Sequence, residues 1–252
     1  CEVKETSEGI EYTSFSYRKQ IWSILNSFFD FLNRKRIISE NPVRLIERPT
    51  KNDKVNHVYL NKTDLDKMLD LVKSEIEDSG DVRDKKWKIR DLAILYTFIF
   101  TGMRESALCE IDINKIDFEN NVIEVIDKEH KTNTYTISPK LKEVLIEWLV
   151  AREELLGKEK VDALFISNQL KRINQGTVIH TIRKYSEEAL GQPVSPHRLR
   201  AAYGNMIYQK TGDILLTSRA MKHADISTTR IYMEDNEQAV NNKVADILSG
   251  MF

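Results

Sequence analysis

Cysteine is nearly absent from this chain. Its 252 residues hold two, Cys1 and Cys109. That excludes a disulfide framework and a Cys-rich zinc site, and makes a reducing, cytoplasmic setting the expectation. Glycine (9) and proline (5) are also scarce, which argues against collagen-like, linker-rich and turn-dense all-β chains and favours helices. The longest apolar run, Leu92 to Phe100, is far too short to span a bilayer. The first residues are studded with Glu and Lys, so no signal peptide is expected, and Cys1 in place of Met suggests a truncated chain. A net charge of −1 leaves no global excess of positive charge. A nucleic-acid binder would have to be basic locally.

Local basicity is present. Seven Lys/Arg lie between Arg34 and Lys54, and ten between Lys171 and Tyr232; after Tyr232 the sign reverses. Each run alone is a solvated helix face. Two such runs in a near-neutral chain favour a side that meets a polyanion. With 41% hydrophobic residues the chain can bury a core, and its length allows one or two domains.

Periodicity organises the rest. Ile21, Ile24, Leu25, Phe28, Phe29 and Leu32 predict one amphipathic helix over 13–33. Arg48-Pro49 through Val55 is polar and aperiodic, as a linker would be. A helix over 64–77 with Thr63 as its cap, a polar loop over 78–84, and a helix from Trp87 to Thr101, apolar nearly all round and stopped by Gly102, follow. Runs at 116–118, 122–126 and 134–137, separated by polar turns, predict three antiparallel strands. Helices are expected over 139–156, 174–190, 196–211, 214–221 and 236–248. The fold class is therefore α+β: a mostly helical domain with a small three-stranded antiparallel sheet.

Four polar motifs stand out by order and spacing: Thr101-Gly102-Met103-Arg104 with Leu108, His197-Arg198-Leu199-Arg200, His223, and Tyr232 nine residues after His223. The set resembles the tyrosine recombinase, or phage-integrase, family, whose Thr-Gly-x-Arg-x-x-x-Leu turn, His-x-x-Arg motif, second His and nucleophilic Tyr these residues match. The resemblance runs from about Lys19 to Leu248. It implies residues 1–50 as the last part of a helical core-binding domain, 51–57 as linker, and 58–252 as the catalytic domain with a tail helix. It implies a site-specific recombinase that cleaves and rejoins double-stranded DNA without metal, ATP or another cofactor, and a homotetramer on paired sites joined through the C-terminal tail.

The chemistry explains the residue types. A phosphorane-like centre needs fixed positive charge. Arg104 and Arg200 can each donate paired N–H bonds to its oxygens, which Lys does poorly. Tyr232 would attack phosphorus to give a 3′-phosphotyrosine. His197 suits the general base, and His223 a hydrogen bond to phosphate. The family's general-acid Lys sits on a β-hairpin turn; Lys131 fits, with Lys128 the alternative. Lys171, Arg172, Arg183 and Lys184 are the candidate DNA contacts outside the centre. Two departures mark the chain. Ala107 stands where the family usually has a carboxylate, with Glu105 a possible substitute. Met221-Lys222 stands where it usually has Leu-Gly. Neither removes a reacting group, and both suggest a mobile-element enzyme over a chromosome-dimer resolvase. A DNA-binding relic, a type IB topoisomerase-like enzyme and a helical module without nucleic acid remain the alternatives.

Overall fold

The computed structural model describes residues 4–6, 9–11, 15–49, 60–126 and 132–222. The chain divides into two compact units, Cys1–Val58 and Tyr59–Phe252.

In the first unit, β1 (Lys4–Thr6) pairs antiparallel with β2 (Gly9–Glu11), ahead of α1 (Phe15–Arg34). A 3-10 turn over Pro42–Leu45 is capped by Asn41, whose side chain accepts from Val43 N. The same Asn41 amide donates to Asp30 Oδ1 at 2.8 Å and holds that carboxylate below its ordinary range. These polar bonds close the turn back onto α1. On α1, Ile24, Phe28 and Phe31 are exposed and Phe29 and Leu32 half-buried, and Asn41 and Val43 are the buried residues among those whose burial is described in this unit. A single amphipathic helix cannot bury its own stripe.

The second unit contains the core. A reciprocal capping box between Asn61 and Asp64 opens α2 (Lys62–Glu77). The cap is thus Asn61, two residues ahead of the expected Thr63. Helix α3 (Val82–Thr101) starts five residues before the expected Trp87, because the Asp81 side chain accepts from Arg83 N and Asp84 N. Its first turn is polar and solvent-facing, so hydrophobic spacing could not show it. From Asp91 to Phe98 every residue is buried; α3 is the central helix, packed by α2, α5 and α7. Gly102 ends it in the left-handed conformation, φ 58°.

A short helix α4 (Glu105–Cys109), not foreseen from periodicity, follows. Strands β3 (Ile116–Asp117), β4 (Val122–Ile126) and β5 (Thr132–Thr136) form the expected antiparallel sheet, with Ile123 opposite Tyr135, both buried. Ser138 and Pro139 open α5 (Pro139–Leu156). Arg152 on α5, fully buried, donates to the carbonyls of Ala163 and Val161 and pins the loop leading to α6 (Gln175–Leu190). Ser195 and Pro196 open α7 (Pro196–Thr211), Gly212 closes it, and Asp213 caps α8 (Ile214–Ala220). This is the mostly helical architecture with a small three-stranded sheet that the sequence predicts. The expected tail helix over 236–248 lies outside the described residues. Among the described residues no helix is long and apolar enough to cross a membrane.

Candidate functional site

The site grows from the glycine-stopped end of α3 and the start of α7. At the end of α3, Thr101 Oγ1 donates to Thr97 O at 2.5 Å, and its oxygen lies 3.3 Å from Met103 N. Gly102 then reverses the chain. A Cβ there would lie 2.2 Å from Cδ1 of Tyr203 on α7, so only glycine lets α7 approach the turn. Arg104, exposed, is the cap residue of α4. The far end of α4 is held by Arg172, which donates to Cys109 O at 2.9 Å and to Asp112 Oδ1 at 2.5 Å. Cys109 is buried there, and burial with Glu110 and Glu105 nearby pushes its thiol up to about 11.

Helix α7 supplies the next pair. His197 and Arg200 are three residues apart on one helical face; His197 is exposed and Arg200 buried. The Arg200 guanidinium donates to the carbonyls of Gly102 and Met221. One buried cation therefore joins the turn that carries Arg104, two residues after Gly102, to the end of α8, two residues before His223. Both acceptors are backbone carbonyls, so these two bonds fix the position of the guanidinium. Tyr203, one turn on, lines the same region; its burial raises the phenol pKa, an effect the charge of Arg200 opposes. Gly204 leaves room for Met221, whose Sδ would be 2.3 Å from a Cβ at that position. The residue after Met221, Lys222, is in the left-handed conformation, φ 51°. That explains why glycine is usual at this position in the family the motifs resemble. The Lys222 ammonium lies 6.0 Å from the ring centroid of Tyr135 on β5. The sheet is thereby drawn to the same neighbourhood.

Arg104, His197 and Arg200 are thus placed at or beside one centre. Lys131, its alternative Lys128, His223 and Tyr232 lie outside the described residues. The other basic candidates stand elsewhere. Lys171 is exposed on a turn whose carbonyl accepts from Ser167 N. Arg172 was expected at DNA phosphates, but its bonds to Asp112 and Cys109 give it an internal role, holding α4. On α6, Arg183 pairs with Glu187 at 2.8 Å and Lys184 with Glu75 at 3.0 Å. Ala107 is buried, so α4 turns a small apolar side chain inward where a carboxylate is usual; Glu105, half-buried, opens the helix. Sequence reading missed the Gly102–Tyr203 contact and the role of Arg172; the glycine within Thr-Gly-x-Arg was the one visible signal of the first. Among the described residues no group of three or more His, Cys, Asp or Glu could hold a metal ion.

Residues 44–239 match the phage integrase family. The chain belongs to that family. It is a tyrosine recombinase, and the Thr-Gly-x-Arg turn and His-x-x-Arg helix lie within the matched residues. A curated relative, the tyrosine recombinase XerC of Pseudomonas fluorescens (strain Pf0-1), is 28% identical over 214 residues, 84% of this chain and 67% of the relative. The chain therefore spans about two thirds of that relative's length. The XerH site-specific recombinase, solved bound to a palindromic difH substrate as a post-cleavage complex, superposes with a TM-score of 0.68 at 22% identity, covering 92% of this chain and 65% of that one. The Tn1549 transposon integrase, solved with transposon right-end DNA, gives 0.63 at 17% identity over 95% and 89%. Both share the recombinase catalytic fold described above.

Proposed function

We propose that this recombinase cleaves and rejoins duplex DNA through a covalent 3′-phosphotyrosine at Tyr232, for integration or excision of a mobile element. The observation that carries the reading is Arg200, buried and bonded to the carbonyls of Gly102 and Met221. It brings the arginine turn, the His-x-x-Arg helix and the approach to His223 to one place, as a shared phosphate site requires.

Arg104 and Arg200 neutralise the nonbridging oxygens. His197 takes the phenol proton as Tyr232 attacks phosphorus, and the bond to the 5′-oxygen breaks. Lys131, or Lys128, supplies the proton to that oxygen. His223 donates to the phosphate. Reversal with the partner strand's 5′-hydroxyl rejoins the DNA and frees Tyr232, so bond energy is conserved without ATP. Lys171, Arg183 and Lys184 meet the DNA backbone, the last two by exchanging their carboxylates for phosphate. Residues 1–50 close on DNA as the end of a core-binding domain, 51–57 link it to the catalytic domain 58–252, and the tail beyond Tyr232 docks on a neighbouring protomer in a tetramer. A cytoplasmic enzyme is consistent with these parts. The mobile-element reading rests on Ala107 and on Met221-Lys222.

The test is a nicked suicide duplex built from the flanks of the parental genetic element. A covalent adduct mapped to Tyr232, absent in Tyr232→Phe, supports the reading. Tight DNA binding without an adduct would make the chain a relic that occupies sites uncut.

A further inference from the structure

Resting on that reading of the site, we infer that Lys222 is a phosphate-contacting residue: its ammonium meets a nonbridging oxygen of the DNA phosphate under attack and adds a third cation to Arg104 and Arg200.

Three observations carry this. First, Lys222 occupies a left-handed backbone position, φ 51°, which disfavours any residue with a Cβ. A non-glycine residue held in such a conformation beside a functional centre points from strain to function. Second, its backbone is fixed from the site side, because Arg200 bonds the carbonyl of the preceding residue, Met221. Third, its side chain is not turned away. The residue is exposed, and its ammonium lies 6.0 Å from the centroid of the Tyr135 ring, at the limit of a cation–π contact. Tyr135 is on β5. Lys222 thus lies between the carbonyl grip of Arg200 and the Tyr135 ring of the sheet. A contact at that limit orients the ammonium weakly and leaves it able to meet a stronger partner. A phosphate oxygen is such a partner, and a charged donor to it is among the stronger hydrogen bonds. A Lys acts there as a compact point charge, without the bidentate fork of the two arginines.

The test compares the wild type with Lys222→Gly, Lys222→Gln and Lys222→Arg, all in the full chain. Single-turnover cleavage of the nicked suicide duplex is measured at saturating DNA. Gly and Gln are expected to slow it about tenfold or more, and Arg by less than about threefold, as loss or retention of one transition-state cation requires. Lys222→Gly relaxes the backbone, so its melting temperature should equal or exceed the wild type's, which separates lost chemistry from lost folding. A substrate with sulfur at the 5′-bridging position, whose leaving group needs no proton, should show the same deficit. Wild-type rates in Lys222→Gly would overturn the inference. So would full rescue by the sulfur substrate, because Lys222 would then be a proton donor. Salt dependence of DNA binding supplies an independent readout, with a slope reduced by about one in Lys222→Gly. If the wild type forms no adduct but that slope still falls, the strand-cleavage reading fails and the contact stands; if the slope is unchanged, the contact fails as well.

Discussion

Two basic regions of this molecule differ in the partners that position their cations. Around Arg200, a guanidinium is buried and held by the carbonyls of Gly102 and Met221. Along α6 and at the end of α4, the cations stand against carboxylates: Arg183 with Glu187, Lys184 with Glu75, Arg172 with Asp112. A carbonyl positions a cation through its dipole, whereas a carboxylate also brings an opposite charge. Positive residues count toward an anionic guest according to what already holds them, not according to their number in the sequence. The α6 region is further committed to the fold by Tyr185, fully buried, whose hydroxyl bridges Asp91 at 3.3 Å and Glu75 at 3.4 Å and whose pKa burial pushes up.

The sharpest way to break this contrast is Arg200→Ala. Strand cleavage should fall on the order of a thousandfold, and stability by about 2 kcal/mol as two buried carbonyls lose their donor. Arg200→Lys should recover little of the rate. Single-turnover kinetics and urea denaturation read both, and a rate within tenfold of wild type would remove Arg200 from the centre. Next comes Gly102→Ala. The left-handed backbone and the Tyr203 ring together should cost roughly 2–4 kcal/mol. A loss under about 0.5 kcal/mol in urea would show that α7 moves freely away from the turn. Arg172→Ala should slow cleavage about tenfold by loosening the helix that follows Arg104. It should leave the salt dependence of DNA binding unchanged, whereas a slope reduced by about one would return Arg172 to the phosphates. The smallest effects belong to Arg183→Ala and Lys184→Ala, each expected to weaken DNA binding less than about threefold at moderate salt, since exposed pairs contribute little. A full unit of salt slope lost at either residue would show that Glu187 or Glu75 releases it entirely to DNA.

Much of the fold was legible because its punctuation is chemical. Ser138-Pro139 and Ser195-Pro196 mark helix starts, Gly102 and Gly212 mark stops, and Glu119-Asn120-Asn121 marks the hairpin. The start of α3 was illegible because Asp81 caps a polar turn with no apolar spacing to reveal it. Helix α4 is too short for periodicity. At the candidate site, the motif spacing singled out Arg104, His197 and Arg200 from the sequence. It could not show that Arg200 is buried against two carbonyls, because partners 98 and 21 residues away are a property of packing. The bonds of Arg172 were hidden for the same reason: a basic residue reads alike whether it faces solvent or holds a neighbouring helix. The left-handed turn at 222 was hidden by a Lys where glycine would have announced it.

Cys109 ends the short helix that follows Arg104, and its thiol is buried and held up to about 11. At neutral pH it offers almost no thiolate, the form that peroxides and alkylating agents attack. The short helix that follows Arg104 thus carries a thiol that oxidants reach poorly.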